Sequence, residues 1–409
     1  MMTKREVLGA MATAPLAAAC ASTGTARSID TVVVGAGVFG AWTAEMLRRS
    51  GRKVLLVDAW GPGHARASSG GESRLIRAGY GSSRKYSEMA AESLIEWRRL
   101  SKDADLPLLH QTGVLGFYDR ENDYATASYE TMRSLNLPTE KLDPAELSRR
   151  WPQVDWSGVA FGLWEPDFGA LMARRSVASL VEGFVKNGGA YRQAAILPPK
   201  AGARLEAVET ADGETLHAAE FVFACGPWLG KLFPESIGAR LFVTRQEIFF
   251  FRPPAGDTRF NAPAMPGWID FHGDKVMYGF PDLESRGFKL ADDSHGASVD
   301  PDINDRLVPT ESVAAMRDYL GRRFPALKDA PLSETRVCQY ENSSSGDLLI
   351  DRHPDHANAV LVGMGSGHGF KHGPAVGQRA AALLKDPSAA PDPLFVLASK
   401  ALTQARAVQ

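Results

Sequence analysis

The sequence predicts an α/β protein with two kinds of sheet, and three observations predict it. Ile29 to Asp58 reads as strand, glycine turn, helix, strand and a terminal acid. Two further apolar runs, Glu220 to Gly226 and Ala359 to Gly363, also end at glycine, and the second leads into a helix pattern from about Pro374 to Leu384. The stretches "FVTRQEIFFF" and "KVMYGFP" read instead as antiparallel strands. At about 150 residues per domain, 409 residues allow two or three domains with ample core.

In the first unit, the β-branched run from Ile29 to Val34 feeds Gly35, Gly37 and Gly40. Gly51 stops the following helix, and the Val54–Val57 run ends in Asp58. That acid stands at the roughly 20-residue separation expected of the group that holds an adenosine ribose. Gly35 permits the tight turn, Gly37 lets a pyrophosphate approach the backbone, and Gly40 allows close packing of the helix, whose N-terminus favours the phosphate charge. The unit reads as Rossmann-like and is expected to bind a dinucleotide; the motif alone does not choose between NAD and FAD.

The stretch "GHARASSGGESRLIRAGYG" follows directly. Ser68, Ser69, Gly70 and Gly71 offer backbone N–H groups, and Arg74 and Arg77, three apart, would share one face at a helix start. The later strands lie far downstream, so the nucleotide domain is expected to be discontinuous, from 28–109, 165–238 and 335–386. The second domain takes 110–164 and 239–334, and 387–409 forms a tail.

Composition excludes several classes. With 44% hydrophobic and 23% charged residues and a net charge of −2, nothing points to disorder or to nucleic-acid binding. Three cysteines are too few for a disulfide framework, and Cys225 and Cys338 have no partner at metal-ligand spacing, so no metal is expected. Cys225 reads as a small core residue. Residues 1–27 have the anatomy of an export signal: Lys4 and Arg5 precede an Ala-rich run too short to span a bilayer. The order Thr3, Lys4, Arg5 resembles a twin-arginine signal, "LAAAC" ending at Cys20 a lipid-anchor box, and "ACA" before Ser22 an ordinary cleavage site. The expectation is export, periplasmic and with a lipid anchor at Cys20 as one form; a cytoplasmic location is the alternative.

Taken with the first unit, the ordered motifs "SRLIR", "WEPDFGAL", "FACGPW", "YGFPDLESRGFKL", "CQY" and "GSGHGFK" resemble the monomeric sarcosine oxidases and the related N-methyltryptophan, pipecolate and fructosyl-amino-acid oxidases. These are FAD amine oxidases, and the resemblance runs from about Ile29 to Leu384. It implies an FAD-binding domain under a mainly antiparallel substrate domain, with Gly35, Gly37, Gly40, Asp58, Ser69, Arg74, Gly367, Gly369 and Lys371 around the cofactor. Cys338 would carry FAD as a thioether to the 8α-methyl of the flavin. Arg77 and Lys371 would clamp the substrate carboxylate, and Tyr278 and Tyr340 would border the substrate. Lys289 would face O₂, where a fixed positive charge stabilises superoxide. The helix after Lys371 would direct its N-terminus to the pyrimidine end of the flavin.

The implied activity is oxidation of a secondary amino acid, N-alkyl or cyclic, to an imine that hydrolyses to aldehyde and amine, with O₂ reduced to H₂O₂. The partners are a small amino acid and O₂, and the protein is expected to be a monomer. Two other readings stand beside it: a dehydrogenase of the same fold passing electrons to a quinone or carrier, and a non-catalytic flavin-binding protein. Asp293 occupies the place of a histidine found in many sarcosine oxidases, with His295 two residues on, and Gly70 and Gly71 replace a histidine pair.

Overall fold

The computed structural model describes residues 29–273 and 275–404. The leader and Cys20 lie outside the described residues. A six-stranded sheet runs in the order Leu349–Arg352, Ala359–Gly363, Glu220–Phe223, Thr31–Val34, Val54–Asp58, Ala190–Gln193. Every neighbouring pair is parallel except the first, which is antiparallel. The central Thr31–Val34 strand is buried at every position, as a parallel strand covered on both faces must be, which is why Val32, Val33 and Val34 follow one another without polar alternation.

On one face the helix Val38–Arg49 packs against the helix Gly373–Lys385. Gly377 makes that approach feasible, since a Cβ there would lie 2.6 Å from the Trp42 backbone. Trp42 in turn meets Trp97 edge-on, ring centroids 5.2 Å apart. The tail packs on the Leu349–Arg352 edge: Ile350 N–H donates to the Phe395 carbonyl at 3.0 Å and Leu397 N–H to Asp351 at 2.8 Å.

The second sheet has eight strands, in the order Leu332–Asn342, Phe242–Phe251, Phe288–Asp292, Met277–Phe280, Gly267–Asp270, Val114–Tyr118, Phe161–Glu165, Glu140–Leu142. It is mainly antiparallel, with one parallel pair, Gly267–Asp270 against Val114–Tyr118. Leu332–Asn342, which carries Cys338 and Tyr340, departs from the sequence expectation. Its pattern places it with the nucleotide domain, yet it forms an edge of the eight-stranded sheet and pairs along the length of Phe242–Phe251. Because side chains alternate along a strand, Cys338 and Tyr340 project to one face and Glu341 to the other.

A third, three-stranded sheet joins Ser73–Ile76, Gly169–Met172 and Leu109–His110. It corrects a second expectation: Arg74 lies on a strand and Arg77 just beyond its end, not on a helix start.

Candidate active site

Where the Thr31–Val34, Val54–Asp58 and Glu220–Phe223 strands end, a cavity of about 220 Å³ opens. Gly35 stands at its rim with φ +103°, and a Cβ there would run into the Ala224 carbonyl. At Gly37 the only atom near an added Cβ, among the described residues, is Ser69 Oγ, 3.5 Å away, so the backbone is open to the cavity. A Cβ on Gly40 would collide with the Gly35 carbonyl, which fixes how close the helix comes to the turn. The helix Val38–Arg49 has no side-chain cap and no acid in its first turn; Ser69 Oγ accepts the Val38 N–H at 3.0 Å. Asp58 accepts from the N–H groups of Ala36, Trp60 and Gly61 at 2.7, 2.8 and 2.9 Å. A carboxylate has about four acceptor positions, so a ribose hydroxyl can still be added.

The cavity narrows into a slot that shares Val38, Phe39, Ser68, Ser69 and Glu341 with it. The far wall is the turn Gly365–Phe370, in which Ser366 and Gly367 have φ of 46° and 78°. Gly367 is required there, because a Cβ would lie 2.6 Å from the Tyr340 ring. Beyond Arg74, Tyr340, Gly367 and Phe370 the slot meets a pocket of about 60 Å³.

That pocket gathers Arg77, Lys371, Tyr278, Tyr340 and Asp293. Arg77 is buried, donates to the Gly79 carbonyl, and has its guanidinium 4.6 Å from the centroid of the Tyr80 ring. Burial works against its charge, and Tyr124, Tyr80 and Glu165 more than offset this, so it stays cationic. Lys371 is 4% exposed and donates to Tyr80 Oη at 2.7 Å and the His368 carbonyl at 2.9 Å. Its turn is held by Trp97, whose Nε1 donates to the Lys371 carbonyl at 2.8 Å and whose ring stacks on Phe370. Tyr340 donates to Asp293 Oδ1 at 3.0 Å. Burial raises both tyrosines, Tyr278 to about 12. The pocket thus gathers two cationic side chains and a hydrogen-bonded Asp–Tyr pair.

The sequence matches a family model described as FAD dependent oxidoreductase (DAO) over residues 30–383. The chain belongs to this family. Among its relatives, the monomeric sarcosine oxidase of Bacillus sp. (strain B-0618) is 29% identical over 369 residues, covering 85% of this chain and 90% of that protein. The N-methyl-L-tryptophan oxidase of Salmonella heidelberg (strain SL476) is 28% identical over 368 residues, covering 88% and 96%. Among solved structures, the L-proline dehydrogenase of P. horikoshii superposes with a TM-score of 0.77 at 18% identity over 90% of this chain and 97% of that one, a likeness of fold.

The residues of this FAD-dependent oxidoreductase fit the cofactor. The open glycine turn and a helix start without an acid in its first turn suit a pyrophosphate. The helix Gly373–Lys385, without an acid in its first turn, starts three residues after Phe370, which lines the slot. Glu341 brings to the junction a buried oxygen with no hydrogen-bond partner among the described residues. Gly35, Gly37, Asp58, Ser69, Arg74, Gly367 and Gly369 all border cavity or slot; Gly40 acts behind them.

Cys338 and Lys289 do not line these spaces. Cys338 is buried against Ile248, Phe250 and Ala291. Arg74 Nη2 donates to its sulfur at 3.3 Å and to the Ser68 carbonyl at 2.7 Å. Lys289 is 1% exposed and donates to Ser73 O and Oγ at 2.8 and 3.1 Å. Burial, with Arg74 nearby, pushes its pKa well down. His295 is turned toward Gln404, 2.8 Å away, and Asp293 alone of that pair reaches the pocket. Sequence reasoning missed Glu341, Tyr80 and His368; a carboxylate two residues beyond "CQ" on a buried strand was the available signal for the first.

Proposed function

We propose that this protein is an oxidase of secondary amino acids, N-alkyl or cyclic, that delivers electrons to O₂. The pocket supports this reading through one observation above others: Arg77 and Lys371 converge where only a substrate bearing an anionic group would gain from both. A guanidinium and an ammonium can bind a carboxylate by charge-assisted hydrogen bonds and so aim the neighbouring C–N bond at the slot. Relatives whose names specify sarcosine and N-methyltryptophan, both N-methyl amino acids, favour the same substrate class.

FAD, when bound, accepts two electrons and a proton equivalent from the carbon beside nitrogen. The amine must be neutral to give up hydride, and the two cations disfavour its protonated form. For an N-methyl substrate the balance is R–NH–CH₃ + O₂ + H₂O → R–NH₂ + HCHO + H₂O₂. The test is an air-saturated assay with N-methyl and cyclic amino acids. One H₂O₂ per amine oxidised is expected, whereas turnover only with an added quinone or dye would assign a dehydrogenase.

Covalent FAD at Cys338 is part of the proposal. The Sγ–8α carbon bond forms with loss of one hydrogen from each partner, and O₂ is the final acceptor of both. Arg74, which borders the slot, links it to Cys338, its Nη2 lying 3.3 Å from the sulfur. Acid-precipitated protein should stay yellow, with flavin mass on the peptide containing Cys338, and Cys338→Ser should release all flavin to the supernatant. Colourless wild-type precipitate would refute the linkage.

A further inference from the structure

Glu341 is a carboxyl group placed where, among the described residues, no cation pairs with it. It is 6% exposed and borders both the nucleotide cavity and the slot. Oε1 receives only a long contact from the Gly365 N–H, 3.4 Å, and Oε2 has no hydrogen-bond partner among the described residues. Gly226 and Gly365 flank it so closely that Cβ atoms there would lie 3.2 Å from Oε2 and 3.3 Å from Oε1. The ionisable groups that share these spaces are Asp58, His64 and Cys225 in the cavity and Arg74 and Tyr340 in the slot. None of them is hydrogen-bonded to Glu341. Burial raises its pKa to about 8, with only the Gly365 N–H opposing.

We propose that Glu341 is a neutral carboxylic acid in the holoprotein and donates its O–H to an oxygen of the FAD chain where the nucleotide cavity narrows into the slot. An ionised carboxylate there would be buried at the edge of the cavity that would take the cofactor's phosphates, with no cation hydrogen-bonded to it among the described residues, an arrangement that costs far more than keeping the proton. A protonated one supplies a donor and satisfies the orphaned oxygen at the same time. The proposal rests on FAD binding, which family membership provides, and not on the identity of the substrate.

Without cofactor, the sign of the pH effect follows from the same group. Its folded value of about 8 lies above an unfolded value of about 4.3, so its stabilising contribution is complete below the lower value and is lost as pH rises through the higher. The melting temperature of Glu341→Gln should therefore climb relative to wild type across that window.

The direct test measures FAD dissociation by flavin fluorescence on a Cys338→Ser background, where no thioether retains the cofactor, on both sides of pH 8. With Glu341 present, affinity should fall about tenfold or more at alkaline pH, while Glu341→Gln, which keeps a donor, should hold a flat profile, and Glu341→Ala should bind about tenfold more weakly throughout. In wild-type holoprotein a carboxylic-acid carbonyl band should appear in the infrared spectrum and vanish in Glu341→Gln, a readout that does not depend on the alanine variant folding. Identical pH curves for the Cys338→Ser parent and its Glu341→Gln derivative, alanine binding as tight as the parent, or absence of the band would each overturn the proposal.

Discussion

Replacement of Lys289 by methionine should slow reaction of the reduced enzyme with O₂ by about 100- to 1000-fold, the usual cost of removing one preorganised charge or donor from a water-excluded site. Lys289 is held on the Ser73 carbonyl and hydroxyl, with its ammonium 4.5 Å from the centroid of the Phe280 ring. Burial and Arg74 push its pKa well down, so its charge depends on what arrives nearby. On the proposed reading, negative charge on the reduced cofactor would favour protonation of the amine, and the resulting cation would stabilise the anion that O₂ becomes. Methionine fills a similar volume against Phe250 and Phe280, which separates loss of charge from loss of packing. Anaerobic reduction by substrate should change little. Equal slowing of both half-reactions in stopped flow would assign Lys289 a structural part instead.

Lys371→Ala should weaken binding of amino-acid substrates and of simple carboxylate inhibitors together, by about 1.5–3 kcal/mol for a lost charged hydrogen bond, or roughly 10- to 150-fold. The effect belongs to the clamp because Arg77 and Lys371 stand in one pocket, both beside Tyr80. An amine without a carboxylate should lose little. Damage to the slot would depress every substrate alike, so the contrast separates the two causes.

The nucleotide-binding half was legible in the sequence because its demands are local. Gly35 needs positive φ, Gly40 needs to lie against Gly35, and both follow closely on the same strand. The helix read from Pro374 to Leu384 is Gly373–Lys385 for the same reason: its pattern lies in consecutive residues. What failed depends on partners distant in the chain. Leu332–Asn342 joins the eight-stranded sheet because Phe242–Phe251 pairs with it antiparallel along its whole length, something its own residues do not encode. Arg74 and Arg77 stand on and beyond a strand because Gly169–Met172 pairs with Ser73–Ile76. The isolation of Glu341 likewise arises only once Gly226 and Gly365 close on it.

On the proposed reading, Arg77 and Lys371 together select an amino acid over a plain amine. This selection is tested most directly by anaerobic flavin bleaching in the wild-type protein, titrated with an N-alkyl or cyclic amino acid and, separately, with its decarboxylated analogue. The amino acid should bleach the flavin at concentrations at least about tenfold below those the amine requires, the worth of one charge-assisted hydrogen bond. Equal or preferred reduction by the decarboxylated amine would contradict it and leave a plain amine oxidase in its place.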